Sequence, residues 1–153
     1  MGIGLDSDPL VGLVIVTHAT CGACMLEAAS GIVGAVDGAM AVSVANEDEF
    51  PDIVRRVGHA CDEVDRGAGV LILVDVHGSS PFQACLAMVD GSRPVEIVCG
   101  VNLPMLIKLA TVNRRGTRPA EMAELVKEVG KRSIRLGSEL TGKISMHPPG
   151  EPR

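Results

Sequence analysis

A histidine and an aspartate each close an apolar run in this chain. Val14-Ile15-Val16-Thr17 leads into His18, and Leu71-Ile72-Leu73-Val74 leads into Asp75, followed by Val76-His77-Gly78-Ser79-Ser80-Pro81-Phe82. A neutral imidazole accepts a phosphoryl group when one ring nitrogen presents its lone pair and the other carries the proton. A carboxylate beside the protonated nitrogen holds that tautomer and balances the positive charge that develops. His18 is the candidate acceptor and Asp75 the candidate orienting group. Backbone N–H groups of Gly78, Ser79 and Ser80, the Ser80 hydroxyl and the helix start at Pro81 offer donors to phosphoryl oxygens. Thr20 and the amides after His18 add donors from a second helix. The two strand ends meet only if they flank the point where an open parallel sheet reverses its strand order.

Plainer roles exist for the same residues. A histidine at a strand end is often an ordinary polar residue, and an aspartate there is often a helix cap. His77 is the nearest rival acceptor, with an exposed place at the rim of the site as its simplest role. His59 on a helix and His147 in the tail have nothing chemical beside them. Cys21-Gly22-Ala23-Cys24 opens a helix after a strand, a placement shared with redox proteins. His18 lies just before it, so a metal site is conceivable. A clear fourth ligand is absent, as are the aromatic and proline neighbours of thioredoxin-like sites. The expectation is therefore small helix residues and no metal.

The surrounding pattern alternates strands and helices. Val11 to Thr17 reads as a strand buried on both faces, then a helix capped by Thr20 with Met25, Leu26, Ala29, Ile32 and Val33 at helical spacing. Met40 to Val44 is a second strand. Asn46 or Asp48 opens a helix through about Val64, with Pro51 in its first turn. Val70 to Val76 is the most apolar strand. Ser80 then caps a helix with Pro81 at its first position, running to about Val89. Pro94 to Cys99 is a fourth strand, with a helix from Leu103-Pro104 behind it. Val112 to Arg118, carrying Arg114, Arg115 and Arg118, reads as an exposed polar loop that can touch an acidic partner. Pro119 starts a last helix through about Gly137. The pattern implies one α/β domain over residues 10–143, with a flexible lead-in 1–9 and tail 144–153.

Composition narrows the function classes. The chain has 153 residues, 46% hydrophobic and 22% charged, enough for one packed core. A formal charge of -5 and only two aromatics, Phe50 and Phe82, disfavour nucleic acid as a partner. The longest apolar run, Gly69 to Val74, is far short of the roughly 20 residues of a membrane span. No signal-peptide pattern precedes the first strand, and five cysteines read as reduced thiols in a cytoplasmic protein. No P-loop, dinucleotide fingerprint or G-x-S-x-G elbow is present, so neither a nucleotide nor another cofactor is expected.

Four segments, VGLVIVTHA, LEAASGIVG, GVLILVDVHGSSPFQA and GVNLPMLIKL, occur in order between Val11 and Leu109. Together they resemble the enzyme IIA component of the mannose family of the bacterial sugar phosphotransferase system. The resemblance implies an open, mainly parallel four-stranded sheet in the order 2-1-3-4, flanked by helices. It implies a phosphotransferase: His18 receives a phosphoryl group from the small histidine-containing phosphocarrier protein and passes it to a IIB-type component. Asp75 matches the family's histidine-orienting aspartate, and Ser80 the serine near the phosphate. A homodimer exchanging a carboxyl-terminal segment is also implied, with Ser133 to Leu140 as the candidate. Two positions depart from the pattern: Ala19 and Ser79 stand where the family usually has glycine. An alternative with the same chemistry is a regulatory phosphoprotein whose phosphorylation state selects a partner. Another, from a different class, is a thiol or zinc protein built on Cys21 and Cys24.

Overall fold

The computed structural model describes residues 8–140, so most of the expected lead-in, the tail 144–153 and His147 lie outside the described residues. Four strands, β1 (Gly12–His18), β2 (Ala39–Val44), β3 (Val70–Val74) and β4 (Val95–Cys99), form one sheet in the order β2-β1-β3-β4. All three pairings are parallel. The helices are α1 (Cys21–Val33), α2 (Phe50–Val64), α3 (Ser80–Leu86), α4 (Leu103–Thr111), α5 (Pro119–Arg132) and a short α6 (Gly137–Leu140). The expected α/β class, parallel sheet and strand order are all found.

The central strands are apolar throughout because both of their faces are covered. Leu13 and Ile15 of β1 and Leu71 and Leu73 of β3 face a layer containing Ala29, Leu106, Leu109 and Val126 from α1, α4 and α5. Val14, Val16, Val70, Ile72 and Val74 face the opposite layer, with Ile53, Val57, Cys61, Ala84 and Cys85 from α2 and α3. Fully burying each such side chain is worth about 1.5–3 kcal/mol. This two-sided packing fixes the strand register and therefore the level at which β1 and β3 end. Because β2 lies on one side of β1 and β3 on the other, the strand order reverses between β1 and β3. The crevice above that reversal is where His18 and Asp75 emerge.

Several boundaries differ from expectation for local reasons. β3 ends at Val74 rather than Val76, because the Val74 carbonyl accepts from the amides of Gly100 and Val101 as the chain turns away. Helix α2 is capped by Glu49, not Asn46 or Asp48; the Asp48 carboxylate instead accepts the Ala45 N–H at 2.8 Å. Helix α3 stops at Leu86 rather than Val89, since Ala87, Met88 and Val89 donate three residues back and tighten the chain. Helix α5 ends at Arg132 rather than Gly137, with the Ser133 hydroxyl donating to the Val129 carbonyl at 2.7 Å.

The largest correction concerns Arg114, expected in an exposed loop and found 4% exposed. Its guanidinium donates to the carbonyls of Leu109, Val11 and Asp37, tying the end of α4 to the start of β1 and the turn before β2. Burial lowers its pKa from the ordinary arginine value. Arg114 is thus a clamp at the end of the sheet away from His18 and is not available to a partner. Arg118 does stay exposed, paired with Glu121.

Candidate active site

The end of β1 and the turn after β3 bring His18 and Asp75 into direct contact. The His18 backbone N–H donates to Asp75 Oδ2 at 2.9 Å, and His18 Nδ1 lies 2.9 Å from the same oxygen. The other carboxylate oxygen, Oδ1, accepts the Val76 N–H at 2.8 Å. Burial alone raises the Asp75 pKa, but the bonds from the His18 amide and ring, the attraction of the ring and the Val76 amide outweigh it. The net result is a carboxyl held below its ordinary range. An ionised carboxylate only accepts, so the Nδ1 contact places the ring proton on Nδ1 and leaves Nε2 with its lone pair. The His18 side chain is 45% exposed, and that of Asp75 only 18%.

His18 lines a pocket of about 140 Å³ together with Ser80 and Pro81 from α3 and Ala45, Asn46 and Phe50 from the β2–α2 region. Two larger grooves, about 370 and 350 Å³, run along the outer edges of the sheet against β2 and β4, and neither contains His18. The cap of α3 is Ser79 rather than Ser80. The Ser79 hydroxyl donates to the Val76 carbonyl at 2.7 Å and accepts the Phe82 N–H at 3.4 Å, so it is spent within the loop. The Ser80 hydroxyl bonds no other group among the described residues and faces the same pocket as His18. Gly78, at φ 79, makes the left-handed turn of the loop before α3; neither it nor Ser79 lines the pocket.

On the other side of His18 the chain is under strain. Ala19 has φ 46, the one non-glycine residue with positive φ among those described, and its N–H donates to the Val44 carbonyl at 2.8 Å. A left-handed residue with a Cβ costs roughly 1–2 kcal/mol. Thr20 precedes α1 but makes no side-chain cap bond, and it does not line the pocket of His18 and Ser80. Thr17 replaces it: its buried hydroxyl accepts the Gly22 N–H at 2.7 Å. That cap was missed because Thr17 belongs to the strand, five residues before its partner.

The sequence and the fold have counterparts in known proteins. Residues 12–129 match the family model described as "PTS system fructose IIA component". The chain belongs to this enzyme IIA family of the phosphotransferase system. It is 27% identical over 127 residues to the "PTS system mannose-specific EIIAB component" of Escherichia coli, a match covering 82% of this chain and 39% of that relative. The chain thus spans well under half the length of that protein. A full-length match is the "PTS system fructose-specific EIIA component" of Bacillus subtilis, 21% identical, covering 88% of this chain and 92% of the relative. Among solved structures, the mannose/sorbose-specific IIA subunit from Enterococcus faecalis superposes with a TM-score of 0.71 at 24% identity, covering 83% of this chain and 94% of that one. The enzyme IIA from Streptococcus agalactiae superposes at 0.77 with 17% identity, covering 85% and 99%. At these identities the superpositions establish the shared fold.

The remaining candidates of this enzyme IIA chain sit apart from the pocket. The exposed His77 ring packs on Phe82 with centroids 4.9 Å apart, outside the lining of the pocket. His59 pairs with Glu63 on α2. Cys21 and Cys24 are both exposed on the first turn of α1, and no group of three or more His, Cys, Asp or Glu converges as a metal site among the described residues. No helix among them is long and apolar enough to cross a membrane. The wall formed by Asn46 and Phe50 was not expected. Its signal was the strand order, which puts the end of β2 beside His18.

Proposed function

We propose that this chain is a phosphocarrier in which Nε2 of His18 accepts a phosphoryl group from the phosphohistidine of the small carrier protein and passes it to a IIB-type component. The carrying observation is the double contact of Asp75 Oδ2 with the His18 amide and Nδ1. In the first transfer the donor's N–P bond breaks as the Nε2 lone pair forms a new one. The proton stays on Nδ1, the ring gains positive character, and the ionised Asp75 beside it offsets that charge. The donor imidazole leaves neutral. Ser80 and the amides of Gly78, Ser79 and Ser80 supply hydrogen bonds to the phosphoryl oxygens. The step needs only positioning and charge stabilisation, so neither metal nor nucleotide enters it.

The test is incubation with phosphoenolpyruvate, enzyme I and the small carrier. The expected label is acid-labile, sits on His18, moves on to a IIB-type acceptor and is lost in His18→Ala. An acid-stable label, or one that survives His18→Ala, overturns the reading.

The same reading includes a homodimer that exchanges the segment from Ser133 to Leu140. Two observations favour it. Ile134, Leu136 and Leu140 in that segment are 78%, 63% and 50% exposed. The outer edge of β4 borders an open groove lined by Ile97, Cys99, Ala120 and Ala123. Sedimentation equilibrium of the full chain beside a version ending at Arg132 tests this: a dimer is expected for the first and a monomer for the second.

A further inference from the structure

The five thiols of this chain fall into two classes. Burial pushes Cys61 up to about 11 and Cys85 up to about 12, and it also raises the half-buried Cys99. All three stay protonated; Cys61 and Cys85 are packed into the core, and Cys99 lies half-buried in the lining of the groove beside β4. Cys21 and Cys24 alone among them are exposed, and both lie on the first turn of α1, immediately after His18, Ala19 and Thr20. We infer that Cys21 and Cys24 form a reversible dithiol–disulfide couple that controls phosphoryl acceptance at His18. The control half of this inference rests on the function proposed above.

Geometry favours both the bond and its transmission. Residues three apart on a helix share a face with Cβ atoms about 5–6 Å apart, whereas a disulfide needs about 3.5–4.5 Å. Closing the bond therefore tightens the first turn of α1 by one or two ångströms, an order-of-magnitude figure set by those two spacings. Gly22, between the cysteines, cannot take up that movement. It is buried, its N–H is held by Thr17 Oγ1 at 2.7 Å, and a Cβ there would lie 2.8 Å from Ile15 Cγ2. The movement is then taken up by the exposed Ala23 and by Thr20, whose carbonyl accepts the Cys24 N–H at 2.9 Å and whose hydroxyl lies 3.9 Å from Cys24 Sγ. Beyond Thr20 comes only Ala19, already in the left-handed region at φ 46, and then His18. A strained residue has no slack, so the shift reaches the imidazole and its alignment with Asp75.

The chemistry balances with a low-molecular-weight disulfide as oxidant. One cysteine thiolate attacks it, forming a mixed disulfide and releasing one thiol. The second thiolate then displaces the other half, closing the Cys21–Cys24 bond. The two cysteines lose two electrons and two protons, which the oxidant carries away as two thiols. Reduction by a dithiol runs the same steps backward.

The experiment equilibrates the full chain in a graded series of reduced and oxidised glutathione, then traps free thiols and maps them by mass spectrometry. The expected result is loss of two hydrogens confined to the segment bearing Cys21 and Cys24, reversed by dithiothreitol. The oxidised protein is expected to accept phosphoryl groups about tenfold more slowly or worse, the scale of a sub-ångström to ångström misplacement. Cys21→Ser and Cys24→Ser are expected to keep the reduced rate under every condition. The His18 ring resonances of the unphosphorylated protein give a second readout, and they are expected to move on oxidation. If the reduced protein takes no label, the phosphocarrier reading fails, and the ring resonances alone decide whether the couple reaches His18. Thiols that stay trappable throughout, a bridge between two chains, zinc held by the pair, or an oxidised protein with unmoved ring resonances each overturn the inference.

Discussion

A single atom, Asp75 Oδ2, meets His18 twice, accepting its backbone N–H at 2.9 Å and facing its ring Nδ1 at the same distance. The first bond fixes where the strand end sits; the second fixes how the ring is rotated and protonated. Position and tautomer of the candidate acceptor thus depend on one carboxylate. That carboxylate is itself aimed by the Val76 amide on its other oxygen.

Asp75→Asn tests this arrangement with little change of shape. An amide has one acceptor oxygen, whereas both carboxylate oxygens here face N–H donors. Either orientation of the amide sets a donor against a donor or offers the wrong partner to Nδ1. The expected outcome is a folded protein whose phosphorylation by the small carrier is slower by about 100-fold. A folded variant with wild-type transfer kinetics would show that Asp75 does not orient the ring.

The lowered pKa of Asp75 gives a second expectation, in stability rather than rate. Folding favours the ionised form, so the contribution is complete above the unfolded-state value of about 3.9 and is lost as pH falls through the folded-state value. The stability difference between the wild type and Asp75→Ala should be flat above about pH 5 and should narrow on acidification. Urea denaturation across that range measures it, and a difference that widens toward acid contradicts the assignment.

Much of this was legible in the sequence, and the gaps have physical causes. Buried β-branched runs announce themselves, so β1, β2, β3 and β4 were expected within a residue or two, as was the meeting of His18 with Asp75. The exception at the end of β3 arises because Val74 turns its carbonyl to Gly100 and Val101, a contact made across the sheet. Ser79 and Ser80 are equally able to cap a helix, and Pro81 fits either of its first two positions; only the loop geometry chooses. Arg114 misled because a polar stretch describes an average, while its carbonyl partners at Val11 and Asp37 lie far away in sequence. The Asn46 and Phe50 wall of the pocket is likewise a product of strand order, which local pattern does not encode.

Ala19 offers a direct measure of strain beside the site. At φ 46 its Cβ is unfavourable, and glycine carries no such penalty. Part of the gain is offset by the greater freedom of glycine in the unfolded chain. Ala19→Gly is expected to stabilise the protein by about 0.5–1 kcal/mol, read as a higher urea midpoint at unchanged slope. A loss of stability would mean that the Ala19 backbone relaxes to negative φ in solution.

Two adjacent serines differ in whether the fold already uses their hydroxyls. Ser79 bonds the Val76 carbonyl and the Phe82 amide, so Ser79→Ala should cost about 1 kcal/mol of stability through loss of the cap. The Ser80 hydroxyl bonds nothing among the described residues, so Ser80→Ala should leave stability within about 0.5 kcal/mol of wild type. Under the proposed phosphorylation of His18 this order of importance is expected to reverse. A phosphoryl group at His18 Nε2 brings a charge approaching about -2 into the pocket that Ser80 shares. Losing a donor to a charged acceptor costs about 1.5–3 kcal/mol, which corresponds to a phosphohistidine about tenfold or more shorter-lived in Ser80→Ala. The Gly78, Ser79 and Ser80 amides should also gain hydrogen-exchange protection on phosphorylation, more than the core strands do, because loops open at lower cost. Equal exchange of these amides with and without phosphate would place the phosphoryl oxygens elsewhere, on the Asn46 side of the pocket.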